Sequence, residues 1–269
     1  MRDALLARRA ATRHRPFLFG LSGAQGSGKS TVGSVLREAL RERGLKAEVL
    51  SLDDVYLPRV ERARLGRDVH PLLQTRGAPG THDLALAHAV FDAAATDAPF
   101  RLPRFDKATD DPFAPELWPP VQGPVDVILF EGWCVGAAPQ SAGALVAPIN
   151  TLEALEDQDG AWRTWVNQQL GGAYRRLFAR LHMLAMIAAP GFQVVERWRR
   201  EQEQGLRKSR AAAGPPGPGG MSDQEVARFV QFFERITVHA LCEMPARADI
   251  VVYLDERRQP VGPPLGGAG

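Results

Sequence analysis

The chain has 269 residues, of which 45% are hydrophobic and 24% are charged, and its formal net charge is +2. These values are typical of a soluble globular protein that is long enough to bury one sizeable α/β core. The small net charge argues against a nucleic-acid partner, and no apolar run reaches the length of a membrane span. With Cys134 and Cys242 as its only cysteines, the chain is expected to carry reduced thiols in the cytoplasm.

Hydrophobic spacing predicts alternating strands and helices after an N-terminal helix or extension at 1–16. The predicted strands are 17–22, 46–52, 125–130, 183–189 and 248–254. The predicted helices are 30–43, 83–95, 151–182, 191–208 and 223–241. A Ser222/Glu225 capping box begins the last helix, and the proline-rich segment 97–124 is expected to be irregular around at most a short strand at 100–103. This alternation predicts an α/β fold with a parallel sheet flanked by helices.

The same pattern predicts one domain rather than two. It extends over 17–255 and carries a helical, arginine-rich lid at about 191–222. Within the lid, "AAAGPPGPGG" (211–220) is predicted to be a mobile loop because its glycines and prolines cannot hold regular structure. Residues 256–269 are predicted to be a flexible tail.

The first predicted strand and helix are joined by a glycine-rich segment that matches G-x-x-x-x-G-K-S/T at every fixed position. Such a loop turns backbone N–H groups inward around an anion, and the following helix adds its positive N-terminus. Lys29 can reach the β- and γ-phosphates, and the Ser30 hydroxyl can ligate Mg²⁺. A glycine turn that binds nothing would need neither group. The predicted nucleotide-binding residues are Gly23, Ala24, Gln25, Gly26, Ser27, Gly28, Lys29, Ser30 and Thr31, so we expect a P-loop NTPase-type sheet that binds a nucleoside triphosphate. No guanine-reading NKxD segment occurs, which favours ATP over GTP.

Two acidic segments follow predicted strands. Asp53 and Asp54 lie just beyond the carboxyl end of the second strand, at the sheet edge where ligands bind in open α/β folds. A carboxylate there can accept the proton of an acceptor hydroxyl during phosphoryl transfer, although an Asp pair also commonly caps a helix or forms a turn. Asp53 is the predicted base. Asp54 is predicted to be structural, to contact the substrate or to reach magnesium through water.

The strand "VDVILF" is flanked by Asp126 and Glu131, which cannot serve the same site. Five residues of strand span roughly 16 Å, so Asp126 lies at the opposite edge of the sheet. Glu131 leaves the strand at the phosphate edge. It is therefore the predicted partner of Ser30 in holding Mg²⁺, with orientation of the acceptor as its other possible role.

Beyond the P-loop, several segments resemble the plant-type D-glycerate 3-kinases and their fungal and bacterial relatives. These proteins are P-loop kinases related to uridine kinase, phosphoribulokinase and pantothenate kinase. The segments that carry the resemblance are "SLDDVYLP" (51–58), "HPLLQTRGAPGTHDL" (70–84), "LPRFDKATDD" (102–111), "ILFEGWCVG" (128–136), "ERWRREQEQGLR" (196–207) and "GMSDQEV" (220–226). "RGAPGTHDL" and "FDKATDD" are the specific ones, and the match runs in order from about residue 17 to 255.

The resemblance implies transfer of the γ-phosphoryl group of ATP to a hydroxyl of a small acid, with Asp53 as base. It also suggests that Asp83 binds acceptor hydroxyls, although Asp83 lies at a helix start where it could equally be a cap. The other predicted substrate-binding residues are Tyr56, Arg76, His82 and Lys107. Arg76 could grip a carboxylate with its bidentate guanidinium or be a surface residue. His82 could orient the acceptor or fill a polar pocket, and Lys107 could meet an anion, pair with Asp106 or belong to a solvated loop.

Arginines crowd the predicted lid, where a closing cation can stabilise the transferring phosphoryl group and exclude water. Arg200 and Arg207 are seven residues apart and share one helix face, so they are the predicted phosphate contacts. The lid loop 211–220 and the segment "FVQFFERITVHAL" (229–241) depart from the family pattern near the expected acceptor site.

The leading expectation is a magnesium-dependent kinase that converts D-glycerate to 3-phosphoglycerate. Another acceptor (a nucleoside, a pantothenate-like compound or a different hydroxy acid) and a non-kinase ATP-binding regulatory protein remain the alternatives, and the oligomeric state is not predicted.

Overall fold

The computed structural model of the chain describes residues 1–213 and 221–262, and within helix residues 206–213 it describes the backbone alone. Residues 214–220 of the predicted mobile loop lie outside the described residues, as does the end of the predicted tail at 263–269, whereas residues 211–213 form the end of a helix rather than a loop.

The described helices and strands follow the predicted order. The α-helices are α1 (Arg2–Thr12), α2 (Lys29–Arg41), α3 (Arg59–Asp68), α4 (Leu84–Ala93), α5 (Thr151–Glu156), α6 (Ala161–Gln169), α7 (Arg175–Phe178), α8 (Gln193–Ala213) and α9 (Asp223–Glu243). The strands are β1 (Phe17–Gly23), β2 (Ala47–Ser51), β3 (Pro99–Arg101), β4 (Phe105–Asp106), β5 (Asp111–Pro112), β6 (Pro120–Gln122), β7 (Val127–Gly132), β8 (Met183–Ala188), β9 (Ile250–Leu254) and β10 (Pro260–Val261). A π-helix, Leu170–Tyr174, joins α6 to α7.

The central sheet has the strand order β10-β9-β8-β1-β7-β2, and its strands are parallel except for β10. Its register aligns Leu21 of β1 with Glu131 of β7, and Glu131 with Ser51 of β2. The carboxyl ends of β1, β7 and β2 therefore meet at one edge. This confirms the predicted α/β class and brings the P-loop, Glu131 and the Asp53 turn to the same side.

Alternating side chains of β1 and β7 build two hydrophobic cores, one on each face of the sheet. Phe17, Phe19 and Leu21 belong to the core beneath α1, α2 and the start of α8. Leu18 and Phe130 belong to the other core, beneath α4 and α9. Every residue of β1 and β7 is buried, which is why both segments read in the sequence as continuous apolar runs.

Three further regions differ from the sequence-based expectations. Helix α3 has a mostly charged sequence that gives no amphipathic signal, and it was not predicted. The segment 97–124 contains two small antiparallel pairs, β3–β6 and β4–β5, rather than one short strand. Residues 256–261 of the predicted tail form a turn and the strand β10, which pairs with β9. Within the described ranges, none of the helices combines the length and apolar character that a bilayer-spanning segment needs.

Candidate active site

The P-loop connects β1 to α2 and leaves the helix N-terminus facing the edge of the sheet. Gly26 and Gly28 have φ of 74° and 85°, a backbone region that disfavours side chains. Gly28 is the N-cap of α2 and no side chain caps it, so the first N–H groups of the helix are available to an anion. The loop thus has the backbone shape of an anion nest.

Ser30 and Glu131 come together at the start of α2. The Ser30 hydroxyl donates a hydrogen bond of 3.0 Å to Glu131 Oε1. Glu131 is buried, and its Oε2 has no hydrogen-bond partner among the described residues. A buried carboxylate oxygen without a partner is costly, and a hydroxyl beside it completes an oxygen donor set that suits Mg²⁺. These two side chains therefore fit the predicted metal site.

Asp126 lies at the other end of β7 and has a structural role there. Its Oδ1 pairs with Arg9 at 2.9 Å and with Arg15 at 3.2 Å, while Oδ2 accepts a hydrogen bond from the Lys46 backbone N–H. The carboxylate thus ties α1 and β2 to the bottom of the sheet. Asp126 and Glu131 therefore lie at opposite ends of β7, as the strand length predicts.

Asp53 lies in a 3₁₀ turn directly after β2 and is held at both oxygens. Oδ2 accepts a 2.7 Å hydrogen bond from Lys107 Nζ, and Oδ1 accepts one of 3.2 Å from the Tyr56 hydroxyl. Burial alone would raise the pKa of Asp53, but attraction to Lys107 and Lys29 outweighs it and holds the pKa well below its usual value. Asp53 is therefore ionised at neutral pH and lies within the field of the P-loop lysine.

Asp54 faces a different partner. Its Oδ2 pairs with Arg104 at 3.3 Å, and its Oδ1 accepts a hydrogen bond from the Phe105 backbone N–H. Burial raises the pKa of Asp54 to about 6, with the nearby Asp53 charge adding to the effect and Arg104 opposing it. Asp54 thus anchors the loop that delivers Lys107 to Asp53.

Arg76 reaches the same loop through Asp110. Its guanidinium pairs with the Asp110 carboxylate and lies over the Phe105 ring at 5.8 Å. Asp110 is also held by Arg62, which is fully buried and donates to the Leu57 and Gln74 carbonyls. Among the described contacts, Arg76 uses one of its N–H groups, on Asp110, and it is partly exposed, so it can grip an anion while Asp110 fixes its position.

The segment "GTHD" (80–83) lies next to Tyr56. Asp83 is the N-cap of α4, and its Oδ1 accepts the Leu86 N–H at 2.9 Å. His82 is buried, stacks on the Tyr56 ring at 4.3 Å, and contacts the Tyr174 hydroxyl through Nδ1 at 2.6 Å. Asp83 thus uses one oxygen as a cap, whereas His82 stacks on Tyr56, whose hydroxyl donates to Asp53.

In helix α8, Arg199 interacts electrostatically with this cluster, while the predicted phosphate contacts of Arg200 and Arg207 stay predictions. Burial lowers the pKa of Arg199, Glu203 opposes the shift, and the charges of Arg76 and Asp53 act on it. Arg200 pairs with Glu196 one turn earlier on the same helix. Arg207 lies among the residues whose side chains are not described. On the helix face predicted from the spacing of Arg200 and Arg207, Arg200 forms an ion pair within α8.

A contact at the outside of the P-loop links it to α8 and to the turn before β10. Arg258 donates a 2.8 Å hydrogen bond to the Gly26 carbonyl, lies over the Trp198 ring at 5.0 Å, and pairs with Glu201 at 2.7 Å. Trp198 is fully buried, and a Cβ at Gly26 would lie 2.6 Å from its Cβ. The loop conformation therefore depends on side chains more than 170 positions away in the sequence.

Sequence reasoning missed the supporting residues Arg62, Arg104, Asp110, Tyr174 and Arg258. Arg62 and Asp110 are charged residues in polar segments, so no local pattern marks them as buried partners. Tyr174 lies in a helical region that was predicted without its π-turn. A π-helix inside an α-helical segment often marks a functional position, but that signal appears only in the structure.

No family model matches the chain. It is 32% identical over 261 residues to mug58, an uncharacterized kinase of Schizosaccharomyces pombe, and the match covers 92% of this chain and 91% of the yeast protein. Chloroplastic D-glycerate 3-kinase of Arabidopsis thaliana is 29% identical over 265 residues, which cover 91% of this chain and 54% of the plant enzyme. The solved structure of D-glycerate 3-kinase from Cryptococcus neoformans superposes with a TM-score of 0.79 at 25% identity, covering 97% of this chain and 95% of that one.

Proposed function

The chain belongs to the family of P-loop kinases that contains D-glycerate 3-kinase, and from that premise we propose that it phosphorylates the 3-hydroxyl of D-glycerate with ATP. It is an ATP-dependent kinase whose acceptor is a small molecule. The proposal concerns which small molecule that is, and which side chains handle it.

The observation that carries the choice of acceptor is the convergence of cations around Asp53. Lys107 pairs with it directly, and Arg199 interacts electrostatically with both Asp53 and Arg76. Each of these cations also has an acidic partner, since Lys107 pairs with Asp53, Arg76 with Asp110 and Arg199 with Glu203. Arg76 is partly exposed and can still offer its guanidinium to a carboxylate of the acceptor. This supports a hydroxy acid.

The aromatic side chains argue against a nucleoside acceptor at the same place. Tyr56 is 4% exposed, because His82 stacks on its ring and Phe105 meets it edge-on. Trp133 is equally buried and packs against Phe233. A base needs an open ring face on which to stack, and these rings offer none.

In the proposed reaction the acceptor oxygen forms a bond to the γ-phosphorus, the bond from that phosphorus to the β–γ bridging oxygen breaks, and ADP leaves. Asp53 accepts a hydrogen bond from the acceptor hydroxyl and takes its proton. Because its pKa is held low, we infer that Asp53 mainly orients the hydroxyl and receives the proton late, as suits a loose phosphoryl-transfer transition state.

Lys29 and the P-loop N–H groups bind the β- and γ-phosphates, while Arg199 closes over the transferring group. A magnesium ion fits at Ser30 and Glu131, and when bound it would neutralise charge on the phosphates. The protein side chains then have to keep the nucleotide in line with the hydroxyl and to exclude water from the phosphoryl group.

The test is a panel of acceptors scored for ADP release in the presence of ATP and Mg²⁺. D-glycerate should be the preferred acceptor over L-glycerate, uridine, pantothenate and glycerol. The phosphorylated product should be identified by ³¹P NMR as 3-phosphoglycerate rather than 2-phosphoglycerate. ADP release that no hydroxy compound accelerates would overturn the proposal and favour an ATP-binding regulatory protein.

A further inference from the structure

His82 has one ring nitrogen for which the described part of the chain supplies no hydrogen-bond partner. The side chain is 4% exposed, and Nε2 is buried without a hydrogen-bond partner among the described residues. One ring face stacks on Tyr56, whose hydroxyl donates to Asp53. His82 Nε2 therefore belongs to a side chain that packs against Tyr56, the residue that hydrogen-bonds to the proposed base, Asp53.

The hydrogen bonds around Tyr174 favour one tautomer of the His82 ring. The Tyr174 oxygen accepts the Gly80 backbone N–H at 2.8 Å and lies 2.6 Å from His82 Nδ1. With its oxygen already accepting, the tyrosine satisfies its own O–H by donating to Nδ1, so Nδ1 is an acceptor. Burial lowers the pKa of His82 to about 3, against the attraction of Asp53. The ring is therefore neutral, with its proton on Nε2.

The backbone around Gly80 and Tyr174 stabilises the hydrogen bonds that join Gly80, Tyr174 and His82. Tyr174 is fully buried at the end of the π-helix. Gly80 has φ of 100°, and a Cβ there would lie 2.2 Å from the Trp165 ring. Only glycine lets the Gly80 N–H approach the tyrosine oxygen at this place.

We propose that His82 selects the acceptor, by donating from Nε2–H to an oxygen of the hydroxy acid other than the one that is phosphorylated, with Tyr174 as the positioning residue that holds this tautomer. This inference rests on the proposed function. A buried N–H without a partner is costly, and a site that hydrogen-bonds a substrate oxygen rejects analogues that lack it. A neutral donor can do so without adding a charge beside Asp53.

The first test is a matched pair of substitutions that place an amide at either ring nitrogen. His82→Gln can present an N–H near the position of Nε2, whereas His82→Asn reaches only the position of Nδ1. We expect His82→Asn to lower kcat/KM for D-glycerate by about 10- to 100-fold, mainly through the KM of the acceptor. His82→Gln should stay within about fivefold of the wild type, and the KM of ATP should be unchanged in both. Equal activities in the two variants, with the Tm of each near the wild-type value, would overturn the proposal.

The second test uses truncated acceptors to locate the contacted oxygen. Glycerol lacks the carboxylate, and 3-hydroxypropionate lacks the 2-hydroxyl. The wild type and His82→Asn should have equal kcat/KM on the analogue that lacks the contacted oxygen and should differ on the other. A constant ratio between the two proteins on D-glycerate and on both analogues would show that His82 makes no such contact.

The third test needs no turnover. The full chain, labelled with ¹⁵N at its six histidines, should show His82 as the neutral Nε2–H tautomer from pH 5 to 8, identified by comparison with His82→Gln. Saturating D-glycerate should shift the His82 Nε2 resonance, and Tyr174→Phe should weaken the preference for this tautomer. A His82 that is protonated, or that carries its proton on Nδ1, contradicts the proposal. If the wild type phosphorylates a different acceptor, the proposed function fails on its own, and the same variants on that acceptor still decide the role of His82.

Discussion

The two sides of the site are built in different ways. The phosphate side is one contiguous segment, residues 23–31, between a strand and a helix, and its binding groups are mostly backbone N–H. The acceptor side gathers Asp53, His82, Lys107, Tyr174 and Arg199, which come from distant segments of the chain. The proposed phosphate side is therefore contiguous in the sequence, although Arg258 and Trp198 contact it from a distance, whereas the proposed acceptor side is assembled entirely by long-range packing. Chemistry common to all P-loop kinases should depend on the first side, and acceptor choice on the second.

The largest expected effect is that of Asp53→Asn, which should change turnover, set on the acceptor side, but not ATP binding, set on the phosphate side. Asp53→Asn should lower kcat by about 10³-fold or more, because the amide cannot take the acceptor proton. ATP binding should survive, since Asp53 does not belong to the phosphate-binding segment. Steady-state kinetics and calorimetric titration with a non-hydrolysable ATP analogue measure the two quantities. Asp106→Asn is the matched control, because Asp106 is partly exposed and its described side-chain hydrogen bonds are to Ala108 and Thr109 of its own loop. Normal turnover in Asp53→Asn would remove Asp53 from its proposed role.

A smaller effect distinguishes neighbouring arginines of the lid helix. Arg199→Ala should lower kcat by about 100-fold, because the side chain is 15% exposed and its charge acts at Asp53 and Arg76. Arg200→Ala should change kcat by less than about threefold, since Arg200 is 40% exposed against 15% for Arg199, although both arginines form an ion pair within α8. Single-turnover phosphoryl transfer compares the two variants directly. A larger loss in Arg200→Ala than in Arg199→Ala would restore the contact predicted from helical spacing.

This contrast shows what the sequence could and could not provide. The P-loop, the strand that ends at Glu131 and the Asp53 turn were predictable, because each depends on a short pattern of apolar residues, glycines and charges. Glu131 was distinguished from Asp126 by strand length alone. The choice between Arg199 and Arg200 was not available, since a one-residue difference on a helix rotates the side chain by about 100° and only the packing of α8 fixes the face.

The supporting residues show the same limit. Arg62 is fully buried and holds Asp110, yet it belongs to a helix of largely charged residues that gave no signal. Arg258 was assigned to a flexible tail and instead contacts the P-loop. Such residues are recognised by their partners, and the partners lie too far away in the sequence for any local pattern to join them.

Asp54 offers a test through stability rather than turnover. Burial raises its pKa to about 6 from 3.8, so between pH 4 and 6 the native state binds more protons than the unfolded state. The contribution of Asp54 to the free energy of unfolding is therefore present at low pH and is lost as the pH rises through about 6, by on the order of 2 kcal/mol. Asp54→Asn should lack this slope. Urea unfolding of both proteins at pH 4.5 and pH 7.5 gives the difference, and a pH-independent difference would mean that Asp54 is ionised throughout this range in the native state.

The smallest expected effect probes the long-range contact on the phosphate side itself. Arg258→Ala removes the hydrogen bond to the Gly26 carbonyl and the contact with Trp198, which together stabilise the loop by about 1 kcal/mol. The KM of ATP should rise by about 3- to 10-fold, with the KM of the acceptor unchanged, because the acceptor side does not touch Arg258. Arg257→Ala is the matched control, since Arg257 is exposed and its side chain has no hydrogen bond or ion pair among the described contacts. If both variants leave the KM of ATP unchanged, the loop holds its shape through backbone geometry alone, and the phosphate side is local in its energetics as well as in its sequence.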